Sequence, residues 1–145
     1  MIKDSGERRS FETGAVRDIQ TGKGRPSLMP LDVVAVLLDD NIPNFLEKFK
    51  SSMDTEYLYE VLRIFSDGDI SSMLLEVSKH FEEGAAKYGD NNWQKGIPVN
   101  CYLDSAIRHY LKYKRGDDDE PHDRAFVWNL MCCIWEVDCH ENENH

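Results

Sequence analysis

From Leu31 onward the chain mixes apolar and polar residues at spacings of three and four, the period of a helix that buries one face. "PLDVVAVLL" (30–38) reads as a short apolar helix with Pro30 and Asp32 at its start, and "IPNFLEKF" (42–49) as another. "DTEYLYEVLRIFSDG" (54–68) runs from an Asp54 cap to a Gly68 stop and sets Tyr57, Leu58, Val61, Leu62 and Phe65 at helical spacing. A fourth helix, about 70–88, places Ile70, Met73, Leu74, Val77, Phe81, Ala85 and Tyr88 on one face until "YGDNNWQKGIP" breaks it. A fifth, about 100–115, buries Leu103, Ala106, Ile107, Tyr110 and Leu111 and stops at Gly116.

The sixth, about 120–137, opens on acidic residues and Pro121, which suit the helix dipole and proline's missing donor. Its Phe126, Val127, Trp128, Leu130, Met131, Ile134, Trp135 and Val137 point in nearly every direction, so it belongs at the centre of the bundle. No strand period competes. The expected fold class is all-α, a single-domain helical bundle of five to six helices spanning 31–138. Residues 1–30 are rich in Gly, Arg and Pro without a sustained period and predict an extended basic arm packing on that domain. Residues 139–145 read as a frayed tail.

Composition narrows the function classes. With 145 residues, 41% of them hydrophobic, the chain can bury one ordinary core. Its longest wholly apolar run, "VVAVLL" (33–38), is far short of the ~20 residues a bilayer span needs, and the charged start lacks a signal-peptide core. A cytoplasmic protein without a membrane partner is expected. Cys101, Cys132, Cys133 and Cys139 lack paired C-x-x-C spacing and read as reduced core thiols.

The net charge of −10 argues against binding a nucleic-acid polymer. Residues 1–25 nevertheless set six basic side chains against four acidic ones, so that segment is +2 and the remainder −12. A small anion could be held there.

Candidate chemistry lies on three helices. Glu76, His80, Glu83 and Lys87, at i, i+4, i+7 and i+11, form a stripe that could face one groove, where carboxylate and imidazole would bind a divalent cation. A solvated flank with ion pairs is the competing reading. On the fifth helix Asp104, Arg108 and Lys112 share a stripe with His109 nearby. Asp104 to Arg108 reads as an i, i+4 bridge, while Arg108 with Lys112 offers a fork and a point charge suited to a triphosphate.

On the sixth, His122, Asn129 and Glu136 fall on one line of an otherwise apolar helix, and so either tie helices together or line a pocket. Asp117 to Glu120 read as a helix cap. "TGKG" fails as a phosphate loop, because Arg17 and Gly24 stand where a glycine and a hydroxyl are required. His122-Asp123, with His80 and Asp138, is a weak match to an HD-type phosphohydrolase, since Asp123 faces away from His122 on a helix.

The segments "GAVRD", "GKGR" and "LMP", then "LLEVSKHFEEGAAKYGDNNWQKG", "DSAIRHYLKY" and "PHDRAFVWN" together resemble the dATP/dGTP diphosphohydrolase N-terminal domains common in phages and prophages. The resemblance implies hydrolysis of dATP or dGTP to the monophosphate and pyrophosphate with Mg²⁺ or Mn²⁺, by a homo-oligomer akin to all-α MazG-type pyrophosphohydrolases. The matching positions are Lys87, Tyr88, Asn92 and Trp93 after the fourth helix, Arg108 and His109, then His122 and Asn129, with Arg17, Lys23 and Arg25 in the arm.

On this reading Glu76, His80, Glu83 and Asp119 hold the metal, and Arg17, Lys23, Arg25, Arg108 and Lys112 neutralise the triphosphate. Trp93 stacks on the base, Asn92 or Asn129 reads its edge, and His122 or His109 takes a proton or orients water. The chain departs from the MazG pattern where His122 and Ala125 occupy the positions of a metal-binding Glu and Asp. The rivals are a nucleotide-sequestering protein without turnover and a purely structural interaction module.

Overall fold

The structure, a computed structural model, describes residues 8–11, 16–18 and 22–140. Six α-helices stand among the described residues: α1 Leu31–Leu38, α2 Ile42–Ser52, α3 Glu56–Ser66, α4 Ile70–Tyr88, α5 Val99–Arg115 and α6 His122–Trp135. The all-α bundle is therefore as expected. The helix ends follow local chemistry. The Asp54 carboxylate accepts from the Glu56 amide at 3.0 Å at the start of α3, and Asp69 accepts from the Ser72 amide at the start of α4. Gly116, at φ +89°, turns its amide back onto the Lys112 and Tyr113 carbonyls and ends α5.

α5 and α6 form the central pair, and α6 is buried nearly all round. Tyr102, Ala106, Phe126, Val127 and Leu130 are all fully buried there. Each large apolar side chain so placed contributes roughly 1.5–3 kcal/mol of transfer free energy. The Phe126 ring packs edge-on against Phe65 at 4.9 Å and tilts on Tyr110 at 4.8 Å, which ties α3 to the central pair. A second aromatic group joins α4 and α6 to the turn after α4, with Phe81 at 5.5 Å from Trp93 and 5.8 Å from Trp128, and Trp93 at 5.1 Å from Trp135.

Two details differ from the sequence reading. Within the arm, β1 (Arg8–Ser10) pairs antiparallel with β2 (Val16–Asp18), Arg9 opposite Arg17. Three residues a side are too few to show an alternating pattern, so the arm looked merely extended. At the other end, a π-helical turn, Glu136–His140, follows α6 and carries regular structure past 138. The Asp138 carboxylate accepts from the Thr55 hydroxyl at 2.8 Å, which pins that turn to the start of α3. Cys101, Cys132 and Cys133 are buried and in no disulfide among the described residues, but Cys139 is exposed, because the turn faces it outward. No helix among the described residues is long and apolar enough to cross a membrane.

The arm returns to the bundle through a 3₁₀ turn, Pro26–Leu28, laid against α5. Arg25 Nε donates to Asp104 Oδ2 at 3.0 Å and the Ser27 amide to Asp104 Oδ1 at 2.9 Å. Lys50 Nζ donates to the Ser27 and Met29 carbonyls, both at 3.1 Å, and Arg108 Nη1 to the Gly24 carbonyl at 2.6 Å. Asp104 is fully buried and holds the arm, while Arg108 grips the arm's backbone.

Candidate functional site

The strapped arm, α4, the turn after it, α5 and α6 enclose a cleft of about 1300 Å³. That exceeds the roughly 300–1,000 Å³ usual for small-molecule sites. One group of lining residues is cationic: Lys23, Arg25, Arg108, Lys112 and Arg115. Another is aromatic, with Phe81, Tyr88, Trp93 and Trp128. Asn92 and Asn129, both buried, also reach it, and Asn129 Nδ2 donates to the Ala125 carbonyl of its own helix at 2.8 Å.

His109 and Glu120 line the same cleft, and behind them sits His122. The end of α5 and the start of α6 bring the two imidazoles face to face, Nδ1 to Nδ1 at 2.9 Å, with ring centroids 5.1 Å apart. His122 Nε2 lies 2.8 Å from Asp119 Oδ1. A carboxylate only accepts, so Nε2 carries the proton, and in the neutral imidazole Nδ1 then presents a lone pair to His109. The Glu120 carboxylate, with its side chain 7% exposed, lies 3.9 Å from His109 Nδ1. Burial, reinforced by the positive charges of His122, Lys112, His80 and Arg108, lowers the His109 pKa to about 3, so this imidazole is neutral at physiological pH.

Of the expected metal ligands, Asp119 alone belongs to this group. Glu76 is exposed and pairs with Lys79 at 3.0 Å on the outer face of α4. Glu83 meets the buried Arg124 at 2.6 Å and ties α4 to α6. His80 is buried in the cleft wall, its ring 5.1 Å from that of Trp128. The stripe therefore splits: Glu76 and Glu83 stand about 10.5 Å apart along the helix axis at 1.5 Å per residue, and each carboxylate is held by a different cation, Lys79 and Arg124.

Among the described residues, the ligand atoms that do converge are those of His109, Glu120 and His122, and on its other side those of Asp117, Asp119 and His122. This donor set does not fit an all-oxygen Mg²⁺ cage, but it does fit a cation that accepts imidazole, as Mn²⁺ can. Asp138, held on Thr55, stands outside both groups, which removes the fourth member of the HD-type pattern.

Lys23, Arg25, Tyr88, Asn92, Trp93, Arg108, Lys112 and Asn129 all line the cleft, whereas Lys87 is half-buried and does not. Arg17 lies in β2, and its side chain falls outside the described residues, as does the tail at 141–145. Glu120 and Arg124 were missed. Glu120 looked like part of a capping run. Arg124 sits in a helix read as apolar, and the one available signal was a charge on a helix with no solvent-facing side.

An all-α bundle with a cationic, aromatic-walled cleft beside a histidine and carboxylate cluster is the class of protein that this fold and site define. The chain belongs to the family described as dATP/dGTP diphosphohydrolase, N-terminal, which matches residues 50–145. No curated protein and no solved structure matches it.

Proposed function

We propose that this domain hydrolyses a purine deoxynucleoside triphosphate, dATP or dGTP, to the monophosphate and pyrophosphate, with a divalent cation. The observation that carries the reading is the shared cleft, in which Lys23, Arg25, Arg108 and Lys112 stand with the aromatic rings and the His109–Glu120–His122 cluster. Its support in kinship is the family's description.

Phosphoryl chemistry is mainly positioning and charge stabilisation, so each part has a physical task. Arg108 and Lys112 neutralise phosphate oxygens, and Arg25, although engaged with Asp104, remains 44% exposed on its cleft side chain. Trp93 offers a face to the base, and Asn92 and Asn129 offer amides to its edge. Water attacks the α-phosphorus, a new P–O bond forms, and the bond to the pyrophosphate oxygen breaks. His109, with its pKa near 3, is a poor proton acceptor and serves to orient the water; the Glu120 carboxylate, through the oxygen that would not hold the cation, is the better placed group to take the proton. A divalent cation held by His109, Glu120 and His122, with Asp119 behind, would supply positive charge to the phosphate and acidify water.

The test is incubation with each deoxynucleoside triphosphate and Mg²⁺ or Mn²⁺, resolving products by ion-exchange chromatography. Pyrophosphate and a purine monophosphate in equal amounts are expected. Saturable binding without turnover would replace the reading by nucleotide sequestration, and release of intact triphosphate would overturn the bond assignment. Homo-oligomer formation belongs to the same reading and is checked by analytical ultracentrifugation.

A further inference from the structure

The cluster at the α5–α6 junction is built as a metal centre in a way that the acidic stripe on α4 is not. Metal–nitrogen bonds are about 2.0–2.1 Å, so two imidazole ligands on one ion stand roughly 2.9–3.4 Å apart, depending on the angle between them. The two Nδ1 atoms are 2.9 Å apart already. Ligating histidines commonly give their second N–H to a carboxylate, which fixes the tautomer and the ring. The Asp119 contact at His122 Nε2 does this, and leaves Nδ1 with a lone pair that faces His109. Glu120 supplies a carboxylate whose side chain is nine-tenths buried and which lies 3.9 Å from His109 Nδ1. His109 and Glu120 open to the cleft, so coordination positions remain for water or a phosphate oxygen.

We propose that His109 Nδ1, His122 Nδ1 and the Glu120 carboxylate form a three-ligand site for a nitrogen-accepting transition cation, of the Co²⁺ or Zn²⁺ class, in preference to Mg²⁺. The preference follows from the donors: imidazole suits the later first-row ions, whereas Mg²⁺ requires oxygen ligands and gives up its water reluctantly. This deepens the proposed function by naming its cation, and rests on that reading for its purpose but not for its chemistry. His109 changes tautomer on binding, moving its proton to Nε2 so that both Nδ1 lone pairs face the ion.

The experiment is a nucleotide-free cobalt titration followed by visible absorption. The background carries Cys139→Ser, His140→Asn and His145→Asn, which removes the exposed thiol and the C-terminal histidines as competing ligands. A d–d band saturating at one equivalent of Co²⁺ is expected, displaced by one equivalent of Zn²⁺ and unaffected by a hundredfold excess of Mg²⁺. His109→Asn, His122→Asn and Glu120→Gln should each weaken cobalt binding at least tenfold. Because His122 is buried, its variant could lose the fold; Glu120→Gln, checked by circular dichroism, keeps the result readable. A spectrum that stays that of aqueous cobalt, equal affinity in Glu120→Gln and the background, or displacement by Mg²⁺ at parity would each overturn the proposal. No nucleotide is present, so failure here and failure of hydrolysis are separate results.

Discussion

Arg25 and Asp104 meet at 3.0 Å across 79 residues of sequence, and the carboxylate is wholly buried while 44% of the arginine side chain remains in solvent. Burial alone would raise the Asp104 pKa, but the Ser27 hydrogen bonds and the Arg25 charge outweigh it and hold the carboxyl below its ordinary 3.8. A lowered carboxyl stabilises the folded state fully above its unfolded value and loses that contribution as pH falls through the folded one. Docking of the arm should therefore be insensitive to pH near neutrality and weaken below about pH 4. Asp104→Asn should cost about 1–3 kcal/mol in urea unfolding and remove this acid sensitivity.

Glu83 and Arg124 make the second prediction. Glu83→Ala leaves a buried guanidinium without its carboxylate, and breaking one side of such a pair costs up to about 3–5 kcal/mol. Since 29% of the Glu83 side chain is exposed, water recovers part of this, and about 2 kcal/mol is the expected loss. The urea midpoint should fall while cobalt affinity stays within twofold of the parent. A metal-ligand role for Glu83 would give the reverse.

Lys112 lines the cleft from the last turn of α5, and among the described residues it holds no ion pair of the kind by which Asp104 holds the arm. Lys112→Ala should lower kcat/KM for dATP or dGTP about tenfold, the loss of one charge-assisted contact, with stability unchanged within ~0.5 kcal/mol. Steady-state kinetics at two salt concentrations checks this, since the defect should shrink as salt rises.

His109 has its own signature in the metal-free protein. Its pKa drops from 6.5 to about 3 on folding, so the unfolded chain binds a proton that the folded one refuses. The neutral form is favoured fully above pH 6.5, and stability falls progressively as pH drops from there towards 3, by up to about 1.4 kcal/mol per unit. Urea unfolding across this range should show the slope, and His109→Gln should flatten it.

The helices were legible because a 3.6-residue period and its caps are local properties. Ala106, Phe126 and Leu130 could be placed in the core from spacing alone, whereas Asn92 and Trp93 were singled out by the family resemblance. What spacing could not supply was the partner. Asp104 was matched to Arg108 one turn away, yet pairs with Arg25, and Glu83 was read with its helical neighbours, yet pairs with Arg124 on another helix. His109 and His122 were each singled out, but their meeting at 2.9 Å depends on how the loop from Gly116 to Pro121 folds α6 back along α5.

The strap of the arm over α5 also has a kinetic meaning. Helix pairs such as α1 with α2 or α2 with α3 join neighbours in sequence, whereas Arg25 to Asp104 and Arg108 to Gly24 close loops of 79 and 84 residues. Contacts of such long separation are entropically expensive to reach and form after the local ones. The bundle should thus gather first and the cleft's cationic wall last. Folding followed by helix content and folding followed by ligand-site assembly would then run on different clocks.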